Sequence, residues 1–498
     1  MSAFDVRDLL DAAGPSGAAA PAEAPAPPQP SLLSPVVLSG CVRTLDVLLM
    51  ALVGLVAHRI ALKGAAPLGL AHICAVVGVA GLAVGALQVG RAYRIGVLRS
   101  LPATAIRLVL GWSFALALVA AAMVVTKVAD DSVRLWLAGF YVAGLAALLA
   151  ARLALLVFLR AKIREGVFER RTAIVGGGPA AEELIQALEA SGDASIRIVG
   201  VFDDRDDDRS SLVVAGHPKL GNVSDLVAYA RRARLDLIVF TVPISAEARI
   251  LQMLAKLWVL PIDIRLSAHA TKLRLRPRAY SYLGKVPVLD VFDKPLADWD
   301  VIVKGVFDRT VALVALLALS LPMIGVALAV KLTSRGPVLF RQKRYGFNNE
   351  LIEVFKFRSM YVDQGDAAAS RLVTRDDPRV TPVGRFIRKT SLDELPQLFN
   401  VLKGDLSLVG PRPHALQAKA ANTLYDQVVD GYFARHKVKP GITGWAQING
   451  WRGETDTSEK IQKRVEHDLY YIENWSILLD IRILANTPLS LFKTENAY

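Results

Sequence analysis

Four long, mostly apolar runs succeed one another near the amino terminus, at Val42 to Leu62, Leu68 to Val89, Leu108 to Val128 and Val133 to Leu159. Each can cross a hydrocarbon layer roughly 30 Å thick, and lipid admits only segments that satisfy their own backbone groups, so 36–160 is expected to be a four-helix transmembrane domain. With 53% of its 498 residues hydrophobic and 21% charged, the chain is too apolar to be wholly soluble. Basic residues set the orientation. Arg91, Arg94, Arg99 and Arg107 crowd the second connection, and Arg160, Lys162, Arg164, Arg170 and Arg171 follow the fourth run. The third connection has only Lys127 and Arg134, beside Asp130 and Asp131. This bias places the amino terminus and everything past Arg160 on the cytoplasmic side, although Arg59 and Lys63 give the first connection less contrast. Residues 1–35, rich in Ala and Pro and without a basic start followed by an apolar core, are expected to be a disordered tail.

The formal charge of +13 raises the question of nucleic acid, but Lys and Arg cluster beside apolar runs and not among exposed aromatics. That distribution suits membrane lipids with anionic headgroups and phosphorylated substrates, and nucleic acid is not an expected partner. Cys41 and Cys74 lie in apolar stretches, so no disulfide framework is expected, and the His residues show no metal-ligand spacing.

From Arg171 the pattern becomes soluble: Thr172 to Val175, Gly176-Gly-Gly-Pro-Ala-Ala181, a helical run to Ala190, then Ile196 to Phe202 ending at Asp203 and Asp204. Strand, glycine turn, helix and strand open a parallel α/β domain, continued at Leu235 to Thr241 and Ile262 to Leu266, so 161–270 is expected to be Rossmann-like. As a dinucleotide fingerprint the turn is degenerate. Ala181 replaces a glycine, and Asp203 comes 27 residues after Gly176 where about 20 is usual. A structural or regulatory role and nucleotide binding both stay open. Residues 271–300 are expected to be a linker, with Arg274, Arg276 and Arg278 at the lipid surface.

Val311 to Val330 is a further run of twenty residues without a charge. Its flanks are both basic, Lys304 and Arg309 before it and Lys331, Arg335, Arg341, Lys343 and Arg344 after it, so neither end looks extracytoplasmic. Pro322 in its middle removes a helix bond, and 303–332 is expected to form a kinked re-entrant helix that enters and leaves on one face. Val338 to Gln342 and Leu351 to Arg358, flanking Gly346-Phe-Asn-Asn349, suggest a hairpin.

The stretch Thr390 to Pro413 gathers the chemistry. Ser391 and Glu394 have capping-box spacing, and Leu392, Leu395, Leu398 and Leu402 recur at helical spacing until Gly404. Asp393 and Glu394 are therefore expected in the first turn of a helix, kept ionised by its dipole. An ionised Asp can act as a nucleophile and its neighbour can hold a divalent metal. Pro411 and Pro413 give Arg412 a stiff mount for a guanidinium that matches phosphate oxygens, and Arg385 and Arg388 approach from upstream. The bland alternative is a capped surface helix with scattered surface charges.

Ser391-Leu-Asp-Glu-Leu to Gly-Pro-Arg-Pro413, followed by Lys439-Pro-Gly-Ile-Thr-Gly-Trp-Ala-Gln447, closely resembles the polyprenyl-phosphate hexose-1-phosphate transferases, over about Lys304 to Lys493. The upstream layout looks like the large, multi-domain branch of that bacterial family. The resemblance implies an α/β catalytic domain at 301–498 with a re-entrant helix, facing the cytoplasm in a multi-pass protein of the bacterial inner membrane. It implies transfer of hexose 1-phosphate from a UDP-sugar to polyprenyl phosphate, initiating exopolysaccharide or capsule assembly. Asp393 would be the nucleophile, Glu394 the Mg²⁺ ligand, and Arg388 and Arg412 would complete the catalytic set. Lys356, Arg358, Arg385, Pro411, Pro413, Trp445 and Gln447 would bind substrate, and Gln342 and Arg344 resemble positions near the donor and the membrane. The family kink has Ser directly before Pro, whereas Leu321 here separates Ser320 from Pro322. Glucose is the first expectation for the sugar and galactose the second, and a homodimer is expected. Tyr470, Tyr471, Trp475 and Ile477 to Ile483 suggest a segment lying on the membrane. A rival reading, a nucleotide-sugar epimerase or dehydratase centred on Gly176, lacks a Tyr-x-x-x-Lys pair near that domain, and a non-enzymatic assembly scaffold is the other alternative.

Overall fold

The computed structural model describes residues 34–61, 70–127, 131–164, 167–191, 196–205, 211–243, 246–267, 281–283, 286–362, 377–414, 419–420, 423–424, 432–451 and 457–492. The expected amino-terminal tail lies outside these residues but for its last two, and Arg274, Arg276 and Arg278 lie wholly outside them. The chain divides into two compact units, Ser31–Glu169 and a second containing Arg170–Tyr498.

In the first unit, α1 (Pro35–Ala61), α2 (Leu70–Val89), α3 (Leu101–Val125) and α4 (Asp131–Arg164) pack in a ring in which α1 and α3 each touch both α2 and α4. Trp112, Phe140, Met50 and Leu87 are fully buried at the centre. Gly144 lets α4 close on the indole of Trp112, where a Cβ would collide, the use small residues have between membrane helices. Arg152 of α4 donates to Asp46 of α1 at 2.5 Å, and Tyr93 donates to the same carboxylate at 2.9 Å. An unpaired charge at such a position is expensive in lipid, so the pair ties α1 to α4 in register. Pro35–Ala61, Leu101–Val125 and Asp131–Arg164 are long and apolar enough to cross a membrane, while Ile73–Val89 is a shorter apolar helix.

The second unit opens with an eight-stranded sheet: β1 (Arg170–Val175), β2 (Ile196–Phe202), β3 (Val213–Val214), β4 (His217–Gly221), β5 (Leu237–Phe240), β6 (Asp263–Ser267), β7 (Ser281–Leu283) and β8 (Val286–Phe292). The order is β3-β4-β2-β1-β5-β6-β8-β7, parallel from β4 through β6 and antiparallel at the edges. Its central strands are almost continuously apolar because helices cover both faces. Leu184, Ile185 and Leu188 of α5 (Pro179–Ala190) pack on one face. Leu226 of α6 (Val223–Arg232) and Met253, Leu254 and Leu257 of α7 (Glu247–Leu257) pack on the other. The segment expected to be a linker instead supplies β7 and β8, since Leu283, Val286 and Val288 complete the apolar face under α5.

The apolar run that follows is two helices, α8 (Trp299–Ala318) and α9 (Ser320–Thr333), bent by 65°. The break falls at Leu319 and not at Pro322, which occupies the first turn of α9, where a missing N–H costs little. Ser320 donates its hydroxyl to the Leu317 carbonyl at 2.8 Å across the break. Next comes the expected hairpin, β9 (Leu339–Tyr345) paired antiparallel with β10 (Leu351–Phe357). Beyond it lie α10 (Pro382–Lys389), a 3-10 turn at Leu392–Glu394 and α11 (Gln397–Lys403). Then β11 (Ser407–Val409) pairs parallel with β12 (Gly441–Thr443), and α12 (Ser458–Glu473) and α13 (Ile477–Phe492) end the described chain. Contrary to the interfacial reading, Tyr471 and Ile483 belong to the core of this domain, and Asp480 is buried against Lys304 at 2.8 Å. Only the opposite side of α13, with Leu478, Ile481 and Leu489, stays exposed.

Candidate active site

Ser391 and Glu394 do not form the expected capping box. Ser391 adopts a left-handed conformation (φ 58°) without a side-chain cap, and the α-helix begins only at Gln397, after Pro396. The Glu394 carboxylate is taken by tertiary partners. Its Oε1 accepts from Lys356 Nζ of β10 at 2.8 Å and from Arg412 Nη2 at 2.7 Å, while among the described residues Oε2 accepts from Arg412 Nη1 at a longer 3.4 Å. The hairpin strand, the 3-10 turn and the Gly410–Pro413 loop thus converge on one carboxylate. Asn400 ties α11, the helix after the turn, to the hairpin strand, its Oδ1 accepting from Phe355 N–H at 2.9 Å and its Nδ2 donating to the Glu353 carbonyl at 2.6 Å.

The two acids are electrostatically unlike. Burial pushes Asp393 above the usual Asp range and the Glu394 charge adds to this, while Lys356, Arg388 and Arg412 pull it back. Burial acts on Glu394 in the same sense, but Arg412 and Lys356 bind it so closely that its carboxyl stays well below the ordinary value. The dipole expectation therefore fails for Asp393, which sits buried before the α-helix begins and depends on neighbouring cations for its ionisation. Arg344 of β9, which received no catalytic role from the sequence, stands close by. Burial and then the charge of Arg412 bring its pKa down to about 10. It donates to Gln342 Oε1 at 2.6 Å and to the Pro413 carbonyl at 2.6 Å, both neutral acceptors. Two carboxylates thus face four cations, Lys356, Arg344, Arg388 and Arg412, an excess of positive charge suited to a diphosphate.

Other expected site residues are used differently. Arg358 is buried and donates to the carbonyls of Ser334 and Arg335 at 2.8 Å each, so it anchors the end of α9. Arg385 is exposed one turn before Arg388. Pro411 and Pro413 are buried, and the loop between them is pinned to the Lys439–Gly444 segment by Gly410 N–H to Thr443 O and Gly441 N–H to Pro411 O, both 2.9 Å. Trp445 stacks on Tyr470 with ring centroids 5.7 Å apart, and Gln447 Nε2 donates to the Ile442 carbonyl at 3.3 Å. Neither has a contact with Asp393 or Glu394 among the described residues. In the α/β domain, Gly177 N–H donates to Asp203 Oδ2 at 2.9 Å and Arg205 pairs with the same oxygen at 2.7 Å, so the acid after β2 is already engaged.

Among the described residues no group of three or more His, Cys, Asp or Glu could cage a metal. Mg²⁺ does not need one, because it ordinarily binds one or two carboxylates together with substrate phosphates and water. Glu394 Oε2, whose hydrogen bond among the described residues is the long one from Arg412, fits that donor set.

Residues 299–494 match the family described as bacterial sugar transferase, and 90–268 match a CoA-binding domain. The chain is 42% identical over 338 residues to an undecaprenyl-phosphate glucose phosphotransferase of Komagataeibacter xylinus, covering 66% of this chain and 60% of that protein. It is 38% identical over 369 residues to a UDP-glucose:undecaprenyl-phosphate glucose-1-phosphate transferase of Escherichia coli, covering 74% of this chain and 77% of that one. A Xanthomonas campestris protein of the same description is 36% identical over 394 residues, 78% of this chain and 81% of its own.

Proposed function

Because the chain belongs to the bacterial sugar transferase family, we propose that it moves glucose 1-phosphate from UDP-glucose to undecaprenyl phosphate and so begins assembly of an exopolysaccharide or capsule repeat unit. The observation that carries this reading is the Asp393–Glu394 pair surrounded by Lys356, Arg344, Arg388 and Arg412. One substrate is water-soluble and the other lives in the bilayer, so their phosphates meet at the headgroup layer. The protein is a membrane protein, and we read all four helices of the first unit as crossing, with α8 and α9 as a re-entrant pair and the catalytic domain on the cytoplasmic face of the inner membrane. We read the α/β domain as Rossmann-like and structural or regulatory, because its Asp203 is occupied by Gly177 and Arg205.

In this mechanism an Asp393 carboxylate oxygen attacks the β-phosphorus of UDP-glucose. The bond from that phosphorus to the bridging oxygen breaks, and UMP leaves with the bridging oxygen and its electron pair. The resulting acyl phosphate of glucose is attacked at phosphorus by an undecaprenyl phosphate oxygen, which restores the carboxylate. Arg412 and Arg344 hold phosphate oxygens, and Lys356 and Arg388 keep Asp393 ionised. Glu394 would hold Mg²⁺, which supplies charge neutralisation on the departing phosphate when bound.

Membranes containing the protein, incubated with radiolabelled UDP-glucose, should give label extractable into organic solvent as a lipid-linked sugar. A changed but soluble sugar would indicate an epimerase or dehydratase, and no change a scaffold.

The electrostatics predict the pH response as well. Since Asp393 must be ionised to attack and its pKa is raised, kcat/KM should fall on the acid side with a midpoint above the ordinary Asp value of about 3.9. Lys356→Met removes the cation that lowers it most, so the residual activity should lose its acid limb at still higher pH. An unmoved limb in a pH–rate profile would show that another group titrates.

A further inference from the structure

The segment Tyr432–Lys437 touches the catalytic loop on one side and the α/β domain on the other. Arg435, 1% exposed, donates from Nη2 to the Arg412 carbonyl at 3.1 Å and from Nη1 to the Tyr432 hydroxyl at 3.1 Å, and it pairs with buried Asp468 of α12. The next carbonyl, that of Pro413, accepts from Arg344 at 2.6 Å. The peptide that carries Arg412 is therefore suspended between two guanidiniums, one of them braced by a buried carboxylate.

The far side of the segment rests on the α/β domain. The Arg231 guanidinium of α6 lies 5.1 Å from the Phe433 ring centroid, and Lys437 Nζ lies 5.2 Å from the ring of Trp258 and 5.8 Å from that of Phe292. His436 bonds to Asn349, whose neighbour Asn348 donates to the Ala230 carbonyl at 3.2 Å. At its other end α6 begins on Asp204, which accepts from Val223 N–H at 2.8 Å, next to the Asp203 that holds Gly177. Contacts run unbroken from the glycine turn to the backbone of Arg412.

We propose that Arg435 is a positioning residue for Arg412, and that through the segment carrying it the α/β domain sets the geometry of the phosphate clamp. The inference rests on the transferase reading. A guanidinium is a planar fork that can hold Asp468, Tyr432 and a carbonyl at once, whereas an ammonium in its place keeps the charge opposite Asp468 but not the full set of bonds.

The test is a double-mutant cycle on the full-length enzyme in membranes, with Arg435→Lys and Arg231→Ala. Arg435→Lys should lower kcat about 10- to 100-fold, the range expected when a catalytic group is displaced by a fraction of an ångström to about one, and leave KM for undecaprenyl phosphate unchanged. Arg231→Ala alone should lower kcat about two- to five-fold, and should have no further effect in the Arg435→Lys background. Wild-type kcat in Arg435→Lys, or the same Arg231→Ala factor in both backgrounds, would overturn the proposal. The wild type assayed alongside separates the two ideas: if it makes no lipid-linked product the transferase reading fails, and if it does while Arg435→Lys matches it only the positioning role fails.

Discussion

Asp393→Asn is expected to abolish sugar transfer and UMP release together, by at least about 10³-fold, the scale on which removing a nucleophile from a cooperating set lowers turnover. The substitution is nearly isosteric, so a lost activity reads out chemistry and not packing. It leaves Lys356, Arg388 and Arg412 around a neutral amide that cannot form an acyl phosphate. The wild type provides the positive counterpart. Mixed with Mg²⁺ and UDP-glucose but no lipid, it should release about one UMP per site, add the mass of one hexose phosphate to the peptide containing Asp393, and give parallel double-reciprocal lines in steady state. Asp393→Asn should do none of these. Direct in-line attack by undecaprenyl phosphate, with Asp393 only steering, requires both substrates at once and gives intersecting lines. Near-normal turnover in Asp393→Asn would remove Asp393 as the nucleophile, and a wild type active with lipid but silent without it would remove the covalent step.

What could be read from the sequence was what is local. The apolar runs, the parallel strands and the hairpin around Gly346 are periodic patterns, and periodicity survives into the structure. The Ser391–Glu394 pattern was just as local and misled, because Glu394 found Lys356, 38 residues away, and Arg412, 18 residues away, and two half-buried, charge-assisted ion pairs outweigh a cap. The same distance hides Arg358 under the end of α9, Arg435 against Asp468, and Lys304 against Asp480, 176 residues apart. Tyr471 looked interfacial beside Tyr470 and Trp475, yet its hydroxyl donates to Asp480 at 2.8 Å inside the core. A signal for Arg344 was present, a cation on a hairpin strand two residues after Gln342, but only the fold shows that it shares a site with Arg412.

Cysteines placed at Arg309 and at Arg335 are expected to be shielded alike from an impermeant thiol reagent outside intact cells, and to react once the membrane is opened. Cys41 and Cys74, both exposed, would first be removed. The argument begins with lengths. The second helix, α9, has 14 residues and at 1.5 Å per residue reaches about 21 Å, short of the roughly 30 Å hydrocarbon core. The first, α8, carries Asp300, Lys304, Asp308 and Arg309, so only its last turns, from Thr310 on, are free of charge. Taken straight, the two together could span, but they bend by 65° at Leu319. Their ends are also tied to one domain. Lys304 near the start pairs with Asp480 of α13 at 2.8 Å, and at the finish Arg358 beside the hairpin holds the Ser334 and Arg335 carbonyls at 2.8 Å. A spanning helix would put about 30 Å of hydrocarbon between those two anchors and break one of them, leaving a buried Lys304 or Arg358 without its partners, at a cost of several kcal/mol. Labelling from outside at Arg335 but not at Arg309 would mean that the segment crosses, and the catalytic domain would then have to be divided across the bilayer.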